Sequence, residues 1–333
     1  MRRPLALIAA AALIVVQPIP ALAYLKFGVP IRGQQVTVKW AQSPVRYFVS
    51  NTGVPGVTAA DFQSAVGRAF ATWQAVPTAS ITYQLAGVTS AGPGSDDGSS
   101  VLGFRSRPDL DRVLASTSFL IDSSTGALIE SDISFNSAFP WSVAAAGETG
   151  RFDLESIALH EIGHFSGLGH SALGETELVS TGGRRVLSAE AVMFPIAFSS
   201  GSIAARTLKA DDIAGISDLY PDGDFAATDG SLSGRVTRDG QPLFGAHVVA
   251  VNAATGLMVG GFTLNAQGQF SIGGLSPGLH IVRIEPLDDA EVDSFFDSSH
   301  TVDLDFRVMF FDRVVVVPKG GDSGEIALKV VRK

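Results

Sequence analysis

Residues 160 to 170 read His-Glu-Ile-Gly-His-Phe-Ser-Gly-Leu-Gly-His, and they hold three of the 6 histidines in the chain. His160 and His164 stand four positions apart, so on a helix both imidazoles project from one face toward a single metal ion. Gly167 can adopt a positive φ, which ends the helix in a sharp turn and brings His170 back as a third nitrogen ligand. Three protein ligands leave one coordination position open for water, as catalytic zinc requires.

Glu161 follows the first histidine of this motif, so it lies beside the predicted metal without being a ligand itself. Zinc lowers the pKa of its bound water to about 7 and polarises a carbonyl group, and a nearby carboxylate can then act as a general base. Glu161 would pass the water proton on to a leaving amine, while the metal stabilises the oxyanion. The pattern predicts one zinc ion and Glu161 as the catalytic residue.

Two simpler interpretations of the three histidines stay open. They could be unrelated residues on a helix surface, or they could hold a purely structural zinc ion. A structural site usually closes its fourth position with another cysteine or histidine. The chain has no cysteine, and its other histidines, His247, His280 and His300, do not share a metal-ligand spacing. The spacing from His160 to His170 therefore favours a catalytic site.

The extended histidine motif resembles that of the metzincin metallopeptidases. Ser171 directly after it, and Ala191-Val-Met193-Phe-Pro195 downstream, resemble the matrixin branch of that group. The resemblance implies that Met193 lies in a tight turn beneath the metal, and that Pro195 and the residues up to Phe198 line the pocket beside it. It also implies that the substrate is a protein or peptide, which makes the chain a zinc metalloendopeptidase.

The resemblance covers about residues 35 to 221 and implies an α+β peptidase domain. Its expected core is a five-stranded mixed sheet with an antiparallel edge, packed over two long helices. The helix patterns lie at Ala59–Gln74, Phe152–Gly167 and Ala210–Tyr220, and strand patterns include Val36–Trp40, Leu114–Ile121 and Ala127–Phe135. A substrate would bind in extended form along the edge strand, near Ala115–Leu120.

Metal sites other than the zinc are expected to differ from the common matrixin pattern. Ser134 stands where a histidine of a second, structural zinc is common, and no histidine precedes His160, so we expect one zinc only. Calcium is a further candidate cofactor, because it prefers oxygen ligands and carboxylates are frequent in the preceding loops. The candidate carboxylates are Asp96, Asp97, Asp109, Asp111, Asp122, Glu130 and Asp132.

The composition changes near residues 222 to 230, which divides the chain into two predicted domains. We expect the peptidase domain at 24–222, a small, polar linker at 223–230 and an all-β sandwich at 231–333. Gly268-Gln-Phe-Ser-Ile-Gly-Gly-Leu-Ser-Pro-Gly278 resembles carboxypeptidase regulatory-like domains of the prealbumin-like type. The sequence thus predicts an accessory domain that aids stability or attachment.

Residues 1–23 have the pattern of a secretory signal peptide. Arg2 and Arg3 precede an apolar stretch, and Ala21-Leu22-Ala23 is a small-x-small cleavage site before Tyr24. An uncleaved membrane anchor is the alternative, although prolines interrupt the run before the ~20 apolar residues that span a bilayer. We therefore expect secretion, to the periplasm or the medium, and no stable membrane span in the mature chain.

The net charge and the absence of cysteine bear on the possible partners and on how the fold is stabilised. The formal net charge is -9 without basic clusters, which argues against nucleic acid as a partner. Without cysteine, the exported protein has no disulfide bonds, so packing and bound metal alone stabilise its fold.

The rival hypothesis is a secreted binding or adhesion protein that keeps the peptidase scaffold without catalytic turnover. That hypothesis predicts loss of Glu161, a ligand or Met193, and all are present. The sequence does not determine the oligomeric state.

Overall fold

The computed structural model describes residues 26–180, 182–297 and 300–333. The predicted signal peptide, residues 1–23, lies outside the described residues, as does Tyr24. No helix within the described ranges is long and apolar enough to cross a membrane.

The N-terminal domain is built on one mixed sheet. A hairpin of β1 (Gly28–Ile31) and β2 (Gln34–Thr37) precedes it, and the six strands of the sheet are β3 (Lys39–Trp40), β4 (Val45–Ser50), β5 (Tyr83–Thr89), β6 (Val101–Arg105), β7 (Ala115–Ile121) and β8 (Ala127–Asn136). All neighbouring strands run parallel except β7, which pairs antiparallel with β8 alone. The sheet therefore has an antiparallel edge strand, β7.

The predicted number of five strands is wrong. The predicted strand Val36–Trp40 is divided between the hairpin and the sheet, because Val36 pairs with Val29 while Lys39 and Trp40 pair with the start of β8. The two-residue strand β3 is thus the sixth member of the sheet. A strand of two residues is too short to show the alternation of apolar and polar side chains by which strands are predicted.

The domain has three helices, α1 (Ala59–Gln74), α2 (Leu154–Phe165) and α3 (Ala210–Leu219). Helices α1 and α2 pack beside the sheet, and α3 contributes Ile216 and Leu219 to the buried core. Thr58 and Asp61 form a capping box that starts α1. Trp73 of α1 is fully buried and donates from Nε1 to the Leu159 carbonyl of α2 at 2.8 Å. This bond fixes α2, which carries the histidine motif, against α1.

The helix α2 is shorter than the predicted helix Phe152–Gly167 at both ends. Phe152–Asp153 forms strand β10, which pairs with β9 (Trp141–Ser142), and Asp153 caps the helix by accepting a bond from Ser156 N at 2.9 Å. At the other end Gly167 has a φ of 104°, which turns the chain out of the helix. A hairpin of β11 (Gly174–Leu178) and β12 (Arg184–Ala189) follows.

The C-terminal domain consists of two facing sheets. The first contains β13 (Gly230–Arg238), β14 (Gln241–Pro242), β17 (Gln269–Leu275) and β21 (Asp322–Val330), and the second contains β15 (His247–Asn252), β16 (Met258–Phe262), β18 (Gly278–Glu285), β19 (Met309–Phe310) and β20 (Val315–Val317). Leu232 and Phe270 of the first sheet share a buried cluster with Val248 and Val282 of the second. The domain is therefore β-rich, with its core between the sheets.

The segment between the two domains is partly ordered as a helix. Within the predicted linker 223–230, a short helix α4 (Phe225–Thr228) forms, and its start is tied by Asp222, whose carboxylate accepts from Phe225 N at 2.8 Å. The strand β13 then begins at Gly230. A single 3₁₀ turn, η1 (Val292–Ser294), interrupts the C-terminal domain after β18.

The two domains share buried contacts. Leu173 and Ala191 of the N-terminal domain cluster with Val249 of β15, and Ala172 clusters with Phe262 and Phe296. Such apolar burial contributes about 25 cal/mol per Å² of surface removed from water. The C-terminal domain therefore packs on the loops that follow the third histidine of the motif.

Candidate metal centre

The helix α2 and the turn at Gly167 bring the three predicted ligands together. His160 and His164 lie one turn apart on α2, and His170 returns after the turn, so that potential ligand atoms of all three lie within 4.8 Å of one another. The Nε2 atoms of His164 and His170 are 3.2 Å apart. Within the described ranges this is the one group of three or more His, Cys, Asp or Glu side chains that could hold a metal ion.

Backbone carbonyls fix the orientation of each imidazole. The three Nδ1–oxygen pairs are His160 with Val192 at 2.8 Å, His164 with Leu168 at 2.8 Å, and His170 with Ser294 at 2.6 Å. A carbonyl oxygen can only accept, so each Nδ1 is assigned the proton and each Nε2 keeps its lone pair. Outer hydrogen bonds of this kind are usual around metal-binding histidines. The donor set therefore fits a zinc ion.

Burial keeps these imidazoles neutral. It lowers the pKa of His160, and it lowers the pKa of His170 to about 4, in the latter case together with the charge of His160. The pKa of His164 falls well below its usual value, first through burial and then through its two histidine neighbours. A metal ligand must be neutral imidazole, so the site needs little or no proton release to accept a metal near neutral pH.

Glu161 lies in the same part of α2, and only 5% of its surface is exposed. Thr117 of the edge strand β7 donates to its Oε2 atom at 2.7 Å. Burial raises the pKa of Glu161 to about 7, while the bond from Thr117 opposes that rise. A buried carboxyl group with a pKa near neutrality can exchange protons readily, which is what a general base needs.

Met193 packs against the helix that carries the histidines. A Cβ atom at Gly163 would overlap Sδ of Met193 and lie 3.0 Å from its Cε, so only glycine allows this approach. Asp212 of α3 accepts from Val192 N at 2.8 Å and from Met193 N at 3.1 Å, and Ser171 N donates to the Met193 carbonyl at 2.9 Å. The turn at Val192 and Met193 is thus held by the Asp212 carboxylate and by the backbone N–H of Ser171.

The three histidines and Glu161 line an open cleft of about 1060 Å³. Ala115, Ser116 and Thr117 of the edge strand line one part of it, and Pro195–Phe198 line another. The hairpin β11–β12 contributes Arg184 and Ala189, while the C-terminal domain contributes Glu291, Ser294 and Phe295. A cleft beside an unpaired strand edge can bind an extended peptide.

Several of the carboxylates considered for calcium have hydrogen-bond or ion-pair partners within the protein. Glu130 accepts from Asp97 N at 2.9 Å and also from Gly98 N, and Asp132 accepts from Val101 N at 2.7 Å. Asp109 pairs with Arg107 at 2.8 Å, and Asp122 accepts from Ser124 N at 2.7 Å. In these four cases the carboxylate stabilises the surrounding loop, and calcium binding stays a prediction.

The remaining three histidines lie in the C-terminal domain and have partners there. Their Nδ1 atoms have hydrogen-bond partners in Glu285 for His247 at 2.9 Å, the Gly278 carbonyl for His280 at 3.3 Å, and Asp297 for His300 at 3.0 Å. They are structural side chains of the sandwich, separate from the centre on α2.

A family comparison covers the N-terminal domain. The matrixin family model matches residues 39–221, which is more than half of the chain. The chain belongs to the matrixin family. In this matrixin a carboxypeptidase regulatory-like domain model matches residues 231–307. The predicted family and the predicted type of C-terminal domain are therefore confirmed.

Two plant enzymes share sequence with part of this matrixin. Metalloendoproteinase 5-MMP of Arabidopsis thaliana is 44% identical over 75 residues, which cover 22% of this chain and 16% of the plant protein. Metalloendoproteinase 1 of Glycine max is 42% identical over 76 residues, which cover 22% of this chain and 18% of the plant protein. The match thus spans less than a fifth of either plant protein.

The similarity to solved structures is weak. The minor pilin GBS52 of Streptococcus agalactiae matches 32% of this matrixin and 45% of its own chain, with 13% identity and a TM-score of 0.21. A TM-score this low carries no argument about the fold or the function.

Sequence reasoning did not assign a role to four residues at the centre. These are Thr117, Gly163, Ser294 and Phe295. Gly163 could have been singled out from the sequence. Glycine inside a helix destabilises it by about 1 kcal/mol relative to alanine, so its presence indicates a close packing contact. Thr117 and Ser294 lie 44 and 124 positions from their partners, and no spacing rule connects such pairs.

Proposed function

We propose that this matrixin is a secreted zinc metalloendopeptidase. The observation that carries the proposal is the convergence of three buried imidazoles, each with Nε2 free for a metal, beside the buried carboxyl of Glu161. His160, His164 and His170 would hold one zinc ion. The secretion part of the proposal rests on the signal-peptide pattern of residues 1–23.

Zinc bound by three histidines would supply an activated water and a Lewis acid for the scissile carbonyl. Glu161 would take a proton from that water on its carboxylate and return it to the leaving amine. Thr117 holds one carboxylate oxygen of Glu161 in place. The carbonyls of Val192, Leu168 and Ser294 orient the three imidazoles, which would keep Nε2 of each available to the zinc ion.

The substrate would bind along β7. Among the described strands it pairs only with β8, so its other edge carries backbone groups that an extended peptide could use. The cleft at this edge leads past Glu161 to the wall formed by Pro195–Phe198. Binding in this way places a peptide bond next to the metal and lets side chains enter the cleft.

The test is cleavage of casein, an unstructured protein, by the chain from Tyr24 onward. We expect cleavage that a zinc chelator abolishes and that added zinc restores. A folded, zinc-loaded chain that cleaves neither casein nor a mixed peptide library would contradict the proposal. That outcome would favour the binding or adhesion protein that keeps the scaffold without turnover.

A further inference from the structure

The C-terminal domain reaches the metal centre through one short segment, residues 291–296. Its 3₁₀ turn η1 directs the Ser294 carbonyl to Nδ1 of His170 at 2.6 Å. The Phe295 ring stands edge-on to the His170 ring with centroids 6.3 Å apart. Glu291, Ser294 and Phe295 all line the cleft. An accessory domain that serves only stability or attachment needs none of these contacts.

The segment 291–296 is anchored on both sides of the contact. Phe296 is buried against Phe262 of β16 and Ala172 of the N-terminal domain, and the Phe295 ring lies 5.7 Å from the Phe262 ring. Just upstream, Asp289 accepts from Thr176 N and from the Thr176 hydroxyl, each at 2.7 Å, through its side chain and its backbone carbonyl respectively. The segment is therefore held in place by the core of its own domain and by β11.

A hydrogen bond close to His170 also connects the two domains. Gly260 N of β16 donates to the Asp211 carboxyl of α3 at 2.8 Å. Asp211 is almost fully buried and also accepts from the Ser171 side chain, directly after His170. Ser171, the residue after His170, is therefore linked through Asp211 to the C-terminal domain.

We infer that the carboxypeptidase regulatory-like domain completes the substrate cleft of this peptidase: its segment 291–296 positions His170 through the Ser294 carbonyl, and Phe295 forms a subsite for a large apolar side chain of the peptide. The inference rests on the proposed peptidase function. Phe295 is half-buried, so part of its ring faces the cleft. The apolar surface of such a ring favours an apolar side chain of the substrate.

The experiment compares the wild type with Phe295→Ala and Phe295→Leu for the subsite, Phe296→Ala for the position of the segment, and the control Phe310→Ala. Phe310 is an aromatic residue of the same domain, 60% exposed and not among the residues that line the cleft. Each variant is tested on a peptide library in which every position around the scissile bond is varied in turn. Zinc affinity is measured separately, by competition with a chromophoric chelator, and folding is checked by thermal melting.

We expect Phe295→Ala to reduce the preference for a large apolar side chain at one peptide position, on the order of tenfold in kcat/KM. Phe295→Leu should keep most of that preference, and Phe310→Ala should match the wild type. Phe296 anchors the segment that carries the Ser294 carbonyl, so Phe296→Ala should loosen this outer contact of His170 and weaken zinc binding by about 10–100-fold.

Unchanged preferences at every position would overturn the subsite, even if the zinc affinity falls. Unchanged zinc affinity in a folded Phe296→Ala would overturn the claim that the segment 291–296 positions His170. A wild type that binds zinc and cleaves no peptide would instead refute the proposed function. In that case the zinc competition still decides whether the C-terminal domain holds His170.

Discussion

The hydroxyl of Thr117 lies 2.7 Å from Oε2 of Glu161, and it joins the edge strand β7 to the helix α2, which carries His160 and His164. The same hydroxyl lies 3.2 Å from the Glu161 backbone carbonyl. One side chain thus links the strand expected to bind the peptide with the residue expected to move the proton. A hydrogen bond to one carboxylate oxygen restricts rotation of the group and keeps its position relative to the metal.

We predict that Thr117→Val lowers kcat on the order of tenfold with a smaller change in KM. Valine has nearly the shape of threonine, so the main loss is a hydrogen bond to a charged group, worth about 1.5 kcal/mol. Thr117→Ser keeps the hydroxyl and should retain most of the activity. Steady-state kinetics on one peptide, with bound zinc measured for each variant, makes the comparison. Equal kcat for the valine and serine variants would show that the bond does not orient Glu161.

A second prediction concerns the contact between Gly163 and Met193. A methyl group at Gly163 would overlap the Met193 side chain, so that side chain would have to shift in a closely packed site. We expect Gly163→Ala to lower the free energy of unfolding by about 1–3 kcal/mol, as overpacking does. It should also lower zinc affinity, because Val192 beside Met193 holds His160. Chemical denaturation and chelator competition measure the two effects.

The matched control is Gly67→Ala, also in the interior of a helix. Gly67 lies in α1, and a Cβ atom there would have no neighbour within 4 Å. This change should raise the free energy of unfolding by about 0.5–1 kcal/mol through the higher helix propensity of alanine. If both alanine variants were equally stabilised, close packing of Met193 on α2 would not be the reason for Gly163.

A third prediction concerns the pH dependence of stability. Burial, with a further contribution from the Asp212 charge, raises the pKa of Asp211 to about 7. Its pKa in the unfolded chain is expected near 3.9. Between these values the folded state retains a proton that the unfolded state has lost. The stabilisation from this proton is full below about pH 4 and is lost as the pH rises through about 7.

Asp211→Asn should remove this dependence while keeping an acceptor for Gly260 N. Relative to the wild type, the variant should gain stability as the pH rises from about 4 to about 7, by up to about 1.4 kcal/mol per pH unit. Urea denaturation at several pH values with a chelator present excludes changes in metal binding. Asp96→Asn, at an exposed loop position, is the control. Parallel pH profiles for the wild type and Asp211→Asn would refute the assignment.

Several features of the centre could be predicted from the sequence because they depend on local spacing. The i, i+4 histidines, the turn at Gly167 and the return of His170 lie within eleven residues, and helix geometry alone brings them together. The helix Ala59–Gln74 was predicted with its observed bounds, since its capping signals and apolar period agree. The roles of His160, Glu161, His164 and His170 in catalysis remain predictions.

The features that were missed depend on pairing across long stretches of chain. The sixth strand arises because Lys39–Trp40 meets Ala127–Leu128, and two residues carry no periodic signal. The contact between Ser294 and His170 forms only when the two domains pack together, and the sequence pattern of neither domain predicts that packing. Sequence patterns indicate which face of an element is buried, but they do not indicate which distant element covers it.

The central claim is that Glu161 acts as the proton-transferring base beside a zinc ion held by the three histidines. The most direct measurement is peptide turnover by the wild type and Glu161→Gln, with bound zinc determined for both. Glutamine keeps the size of the side chain and cannot accept the proton. We predict equal zinc content and a kcat about 10²–10⁴-fold lower in the variant. A zinc-loaded Glu161→Gln that turns over peptide at the wild-type rate would contradict this account.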